Sequence, residues 1–117
     1  MTEHREIEES LDRFAEPLVS GALDLDAFRR VHALCISHYR NEEPFLHRLA
    51  ASHPALAAKL KAQHDEALEI ASRLEESTAA GQAADALYLA RRFAAIVQHN
   101  IIEEERDVFP LYSEPRA

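Results

Sequence analysis

The chain has 117 residues, of which 47% are hydrophobic and 29% charged, a balance typical of one globular domain with a sizeable core. Thirteen Lys and Arg against 21 Asp and Glu leave a net charge of −8, which disfavours partners such as nucleic acid or an anionic membrane. The single cysteine, Cys35, cannot form an intramolecular disulfide, and no apolar run is long enough to span a membrane. The acidic start also lacks a signal peptide's hydrophobic stretch, so we expect a cytoplasmic protein.

Apolar residues recur at steps of three and four in four segments of the chain. This period predicts four helices, roughly over residues 2–18, 24–50, 54–78 and 84–107. Breaks rich in Ser, Gly and Pro separate the segments, and a tail over residues 110–117 follows the last one. Asp24 or Asp26 is the expected cap of the second helix, and Ser52 that of the third. Short connections and no strand pattern predict an all-α, up-down-up-down four-helix bundle, with residues 1–117 as a single domain.

Each predicted helix carries one histidine on its expected inward face: His4, His38, His64 and His99. In an antiparallel pair, two residues share a level when they are equidistant from the connecting turn. The midpoints of successive pairs are positions 21, 51 and 81.5, which fall at or beside the three breaks. The histidines are therefore expected in one layer, and the second half of the chain repeats the first as a pseudo-twofold.

Two carboxylates accompany these histidines. Glu42 follows His38 by four residues and Glu103 follows His99 by four, which places each pair on one helical face. Both glutamates belong to short acidic segments, so one interpretation is that they are simply solvent-exposed charges. However, a carboxylate on a buried stripe needs a compensating charge, so the histidine layer favours bound metal.

The donor set of four imidazoles and two carboxylates contains no thiolate, which suits Fe, Mn or Co and, less distinctively, Zn. Six ligands exceed the needs of one tetrahedral zinc. They suit two metals that share two bridging carboxylates, with two terminal histidines on each metal.

The order His, His-x-x-x-Glu, His, His-x-x-x-Glu resembles the hemerythrin-like, or HHE cation-binding, family. The matching segments are His4-Arg-Glu-Ile, His38-Tyr-Arg-Asn-Glu42-Glu43-Pro-Phe-Leu, His64-Asp-Glu-Ala and His99-Asn-Ile-Ile-Glu103-Glu104. The resemblance implies a non-haem di-iron centre whose two Fe ions share an oxo or hydroxo bridge. His4, His38, His64 and His99 would be terminal ligands, and Glu42 and Glu103 the bridging ones.

One position departs from the pattern of the oxygen carriers in this family. They have a further histidine one turn after the third-helix ligand, where this chain has Leu68. Glu8, Glu43 or Glu104 could add a ligand in its place. The expected roles are therefore binding of, or reaction with, oxygen, peroxide or nitric oxide, or sensing or storage of iron. The alternative is a metal-free or zinc-binding helical interaction module.

Overall fold

A computed structural model describes the backbone of residues 2–108 and the side chains of residues 3–108; the expected tail at 110–117 lies outside this range. The helices are α1 (Thr2–Val19), α2 (Leu25–Ser52), α3 (Pro54–Ala79) and α4 (Ala83–Glu103), and a π-helical turn (Glu104–Val108) continues α4. Within the described range there is no strand. Each helix packs on the next and α1 packs on α4, which confirms the expected all-α four-helix bundle.

The connections between the helices are short and have identifiable caps. Asp24 is the N-cap of α2, and its side chain accepts a hydrogen bond from the Ala27 N–H at 3.0 Å. Gly21 and Gly81 have φ values of +83° and +73°, a left-handed conformation that glycine adopts without steric cost. The expected cap at Ser52 is wrong: Ser52 ends α2, and His53 occupies the cap position before Pro54.

The bundle interior contains two apolar clusters. The larger cluster extends from the Gly21 and Gly81 turns to Tyr39 on α2 and Ala67 on α3. The smaller cluster lies at the other end and consists of Leu46, Leu49, Ala57, Leu60 and Val108. Glu42 on α2 and His64 on α3 lie between them, and His38 adjoins Tyr39 at the edge of the larger cluster, so a polar layer interrupts the core. Among the described residues, no helix combines the length and hydropathy that a membrane span requires.

We expect Asp24→Ala to lower the free energy of unfolding by about 1 kcal/mol, because the Ala27 N–H loses its acceptor. Asp24→Asn keeps an acceptor and should stay close to wild type. Asp26→Ala provides the matched control, since Asp26 lies in the first turn without the capping bond. Urea unfolding measures all three. An equal loss for Asp24→Ala and Asp26→Ala would show that negative charge near the helix start matters more than the cap.

Candidate metal centre

Five side chains meet in the polar layer between the two apolar clusters. Each helix contributes: His4 from α1, His38 and Glu42 from α2, His64 from α3, and Glu104 from the turn that continues α4. The four residues other than Glu42 are at most 5% exposed, and the Glu42 side chain is 12% exposed. One ligand atom from each of His4, His38, Glu42 and Glu104 lies within 4.8 Å of the others. We call these four residues together with His64 the His/Glu cluster.

Glu104 is at the centre of the His/Glu cluster. Its Oε1 lies 3.1 Å from His4 Nε2 and 3.6 Å from His38 Nε2, and its Oε2 lies 3.1 Å from His64 Nε2. Glu42 Oε1 lies 3.2 Å from His38 Nε2 and 3.4 Å from His64 Nε2, without hydrogen-bond geometry to either. Two buried carboxylates therefore share three imidazoles.

Carboxylates outside the cluster fix the orientation of two of its rings. His38 Nδ1–H donates to Glu3 Oε1 at 2.6 Å, and His4 Nδ1–H donates to Glu105 Oε2 at 3.3 Å. Each bond directs the Nε2 atom inward, and the two Nε2 atoms are 3.0 Å apart. Two ring nitrogens this close repel each other unless a proton or a cation lies with them. Outer carboxylates of this kind are a usual support for metal-binding histidines.

The charges in the cluster shift several pKa values. Burial by itself lowers the pKa of His38, but the carboxylates of Glu104, Glu42 and Glu3 around its ring outweigh it and raise this pKa to about 10. Burial raises the pKa of Glu104, yet the neighbouring imidazoles of His38, His4 and His64 bring it far below its ordinary value. The pKa of Glu42 is raised, first by burial and then by the neighbouring Glu104 carboxylate, against the opposing effect of His38. Without a metal, the cluster holds protons at neutral pH.

The structure does not bring His99 and Glu103 into the cluster. His99 is 64% exposed, and its Nε2 lies 2.6 Å from Glu103 Oε1. The expected inward face of the fourth helix is wrong at His99. The predicted face ran from Phe93 through Ile96 to His99, and two successive steps of three residues drift around the helix. At about 100° per residue, His99 points about 120° away from Phe93, whereas Glu104 returns to within about 20° of it.

Glu103 is buried in a separate polar network. Lys59 Nζ lies 2.8 Å from its Oε2, and Gln63 Nε2–H donates to its Oε1 at 3.2 Å. Asn100 Nδ2–H in turn donates to Gln63 Oε1 at 2.8 Å. Hydrogen bonding by Lys59 is the main reason that the pKa of Glu103 is lowered. This carboxylate is thus neutralised by α3, and its ligand role stays a prediction.

A signal for Glu104 was present in the sequence. Phe93, Val97 and Ile101 are buried, and Glu104 follows Val97 by seven residues, which is two helical turns. Of the other residues considered as extra ligands, Glu8 and Glu43 lie outside the cluster among the described side chains. Leu68 packs against the larger apolar cluster.

Tyr39 covers the α2–α3 side of the cluster. Its ring stacks on the ring of His64, with centroids 3.9 Å apart and planes 9° apart. Its hydroxyl is buried, and among the described groups none makes a hydrogen bond of ordinary geometry to it. Burial, followed by the neighbouring Cys35 thiol, raises the pKa of Tyr39, so the phenol remains neutral. Cys35 is itself fully buried, and burial raises its pKa to about 12.

These features define a class: a four-helix bundle with a buried His/Glu cluster that could bind a metal cation. A comparison with protein-family models matches residues 1–112 to the Hemerythrin HHE cation binding domain. The chain therefore belongs to the hemerythrin HHE cation-binding family, as its sequence pattern indicated. Neither a search of curated proteins nor a search of solved structures found a match.

The raised pKa of His38 predicts how the stability of the metal-free protein depends on pH. The folded state keeps a proton on His38 up to about pH 10, whereas the unfolded chain releases it near pH 6.5. The resulting stabilisation is fully present below pH 6.5 and is lost as pH rises toward 10. Between pH 7 and 8.5, the free energy of unfolding should fall by about 1–2 kcal/mol.

Urea unfolding in the presence of a chelator measures this slope. His38→Gln should flatten it, and His47→Gln, on an exposed position of the same helix, should leave it unchanged. A stability that rises from pH 7 to 8.5 in wild type would contradict the assigned charge state of the cluster.

Proposed function

We propose that this chain binds a pair of iron ions through His4, His38, Glu42, His64 and Glu104. The observation that carries the proposal is the pair of inward Nε2 atoms, 3.0 Å apart, beside two buried carboxylates. A bound cation would accept the nitrogen lone pairs and neutralise the carboxylates in one step. Glu42 Oε1, buried without a hydrogen bond, supports the same conclusion because it is an acceptor that a metal would satisfy.

The donor set supports iron as the metal. Three imidazoles and two carboxylates form a mixed nitrogen and oxygen set, which suits iron or manganese, and the cluster contains no thiolate. Five side chains are more than one tetrahedral zinc requires. Glu104 replaces Glu103 in the proposed set, because Glu103 is already neutralised by Lys59. His99 is left out because its side chain is exposed and bound to Glu103.

Bound iron would supply a redox-active cation that can take a small ligand such as nitric oxide, oxygen or peroxide. The protein's contribution is to hold the donors and limit the entry of water. Glu3 and Glu105 hold the rings of His38 and His4, and the two apolar clusters close the layer from both ends. Leu68 offers no imidazole, so the metals would keep more open positions than in the oxygen carriers.

The first test is metal analysis with an optical spectrum after anaerobic ferrous reconstitution and exposure to air. We expect about two irons per chain in wild type. Glu104→Gln should lose more metal affinity than the roughly 100-fold at most that loss of an outer hydrogen-bond partner costs, because Glu104 is proposed as a direct ligand. The matched variant is Glu103→Gln, one residue away and equally buried, which should lose stability but keep its iron.

The opposite result, with iron lost in Glu103→Gln and kept in Glu104→Gln, would return the ligand role to Glu103. Zinc alone, or no metal after reconstitution, would contradict the iron proposal and favour a helical interaction module.

A second test separates a binding protein from an enzyme. Open positions on the metals favour reactivity, so we expect the iron-loaded protein to consume peroxide or nitric oxide over many turnovers when a reductant is supplied. Glu104→Gln should abolish this consumption, and His47→Ala should not affect it. A single stoichiometric event per metal pair would instead show a carrier or sensor.

A further inference from the structure

A cavity of about 350 Å³ lies between α2 and α3, on the outer side of the His/Glu cluster. Its inner wall is made by Tyr39 and His64, the two stacked rings. Ile36, Leu46 and Leu68 give the cavity an apolar lining. Because His64 Nε2 lies 3.1 Å from Glu104, one imidazole separates the cavity from the centre of the cluster.

We propose that this cavity is the route by which a small uncharged diatomic molecule, such as nitric oxide or oxygen, reaches the cluster. Binding of the molecule at the end of the route depends on the proposed function, because it requires bound iron. The route itself is formed by protein side chains and does not require a metal. Leu68 is the residue that keeps the route open and apolar, and the ring pair of Tyr39 and His64 is the barrier that the molecule must pass.

The charged residues around the cavity favour entry of an uncharged molecule. Its rim carries Arg40 and Glu43 from α2 and Lys61 and Asp65 from α3, two charges of each sign. Lys61 Nζ lies 2.8 Å from Asp65 Oδ1, so part of this charge is already paired. A rim without net charge does not concentrate ions of either sign, and the apolar interior would cost an ion its hydration.

The other sides of the cluster are less suitable. A cavity of about 150 Å³ between α1 and α2 reaches His38, but Glu3 and Glu6 line it, and Glu3 is hydrogen-bonded to His38. On the side of α4, Lys59 and Gln63 of α3 contact Glu103, and this polar network lies between the two helices. A cavity of about 500 Å³ lies at the Gly21 and Gly81 turns, but the larger apolar cluster separates it from the His/Glu cluster.

The test uses dissolved oxygen as a paramagnetic probe of the metal-free protein, read by the NMR relaxation of individual side chains. We expect the ring protons of His64 to relax several-fold faster under oxygen than those of Phe14, although both residues are buried. Leu68→Trp fills the cavity and should remove most of this enhancement. Leu87→Trp, which fills the cavity at the turns instead, should leave it unchanged.

In the ferrous-loaded protein, the association rate of nitric oxide should fall several-fold in Leu68→Trp, because the substitution fills the proposed route, and stay at the wild-type value in Leu87→Trp. Circular dichroism checks the fold, and Leu68→Phe, which fills less space, replaces Leu68→Trp if the latter does not fold.

The two arms distinguish the possible failures. If the protein binds no iron, the proposed function fails, while the oxygen relaxation in the metal-free protein still tests the route. If His64 relaxes no faster than Phe14, or if filling the cavity at Leu68 leaves its relaxation unchanged, the route is wrong even in a protein that binds two irons.

Discussion

The structure depends on the cost of burying two carboxylates in the middle of a bundle. Glu42 and Glu104 lie between two apolar clusters, where neither can reach bulk water easily. Negative charge at this depth is stable only beside positive charge. Three imidazoles face the pair, and each can donate a nitrogen lone pair to a metal. Without a metal, protons supply the balance, which explains the high pKa of His38 and the low pKa of Glu104.

The same requirement explains the arrangement around the cluster. Glu3 and Glu105 are about half exposed, so their own charge is solvated while they hold the inner rings through Nδ1. Glu103, which is buried, is instead neutralised by Lys59 from α3. Glu103, Glu104 and Glu105 are consecutive in the chain but have different roles, and the residues around each carboxylate determine its role. The chemical type of a residue alone does not reveal it.

Much of the fold could be predicted from the sequence, because apolar periodicity decides helix faces. His4, His38 and His64 were expected inside and are inside, since their helices keep the regular alternation of three and four. The fourth helix was harder. Its sequence permits a stripe through Ile96 and His99 or one through Val97 and Glu104, and only packing against α1 and α3 selects between them. The Tyr39–His64 stack could not be predicted either, because it joins residues on different helices.

The geometry of the cluster also has a consequence for the order of folding. His4 and Glu104 are 100 positions apart in the chain, and His64 is provided by a third helix. Contacts this distant in sequence carry the largest loop-closure entropy, so they form after local helices and turns. A nascent or partly folded chain lacks the complete donor set and has little means of capturing an ion. Any metal would therefore be acquired late in maturation, after α1 and the end of α4 have docked.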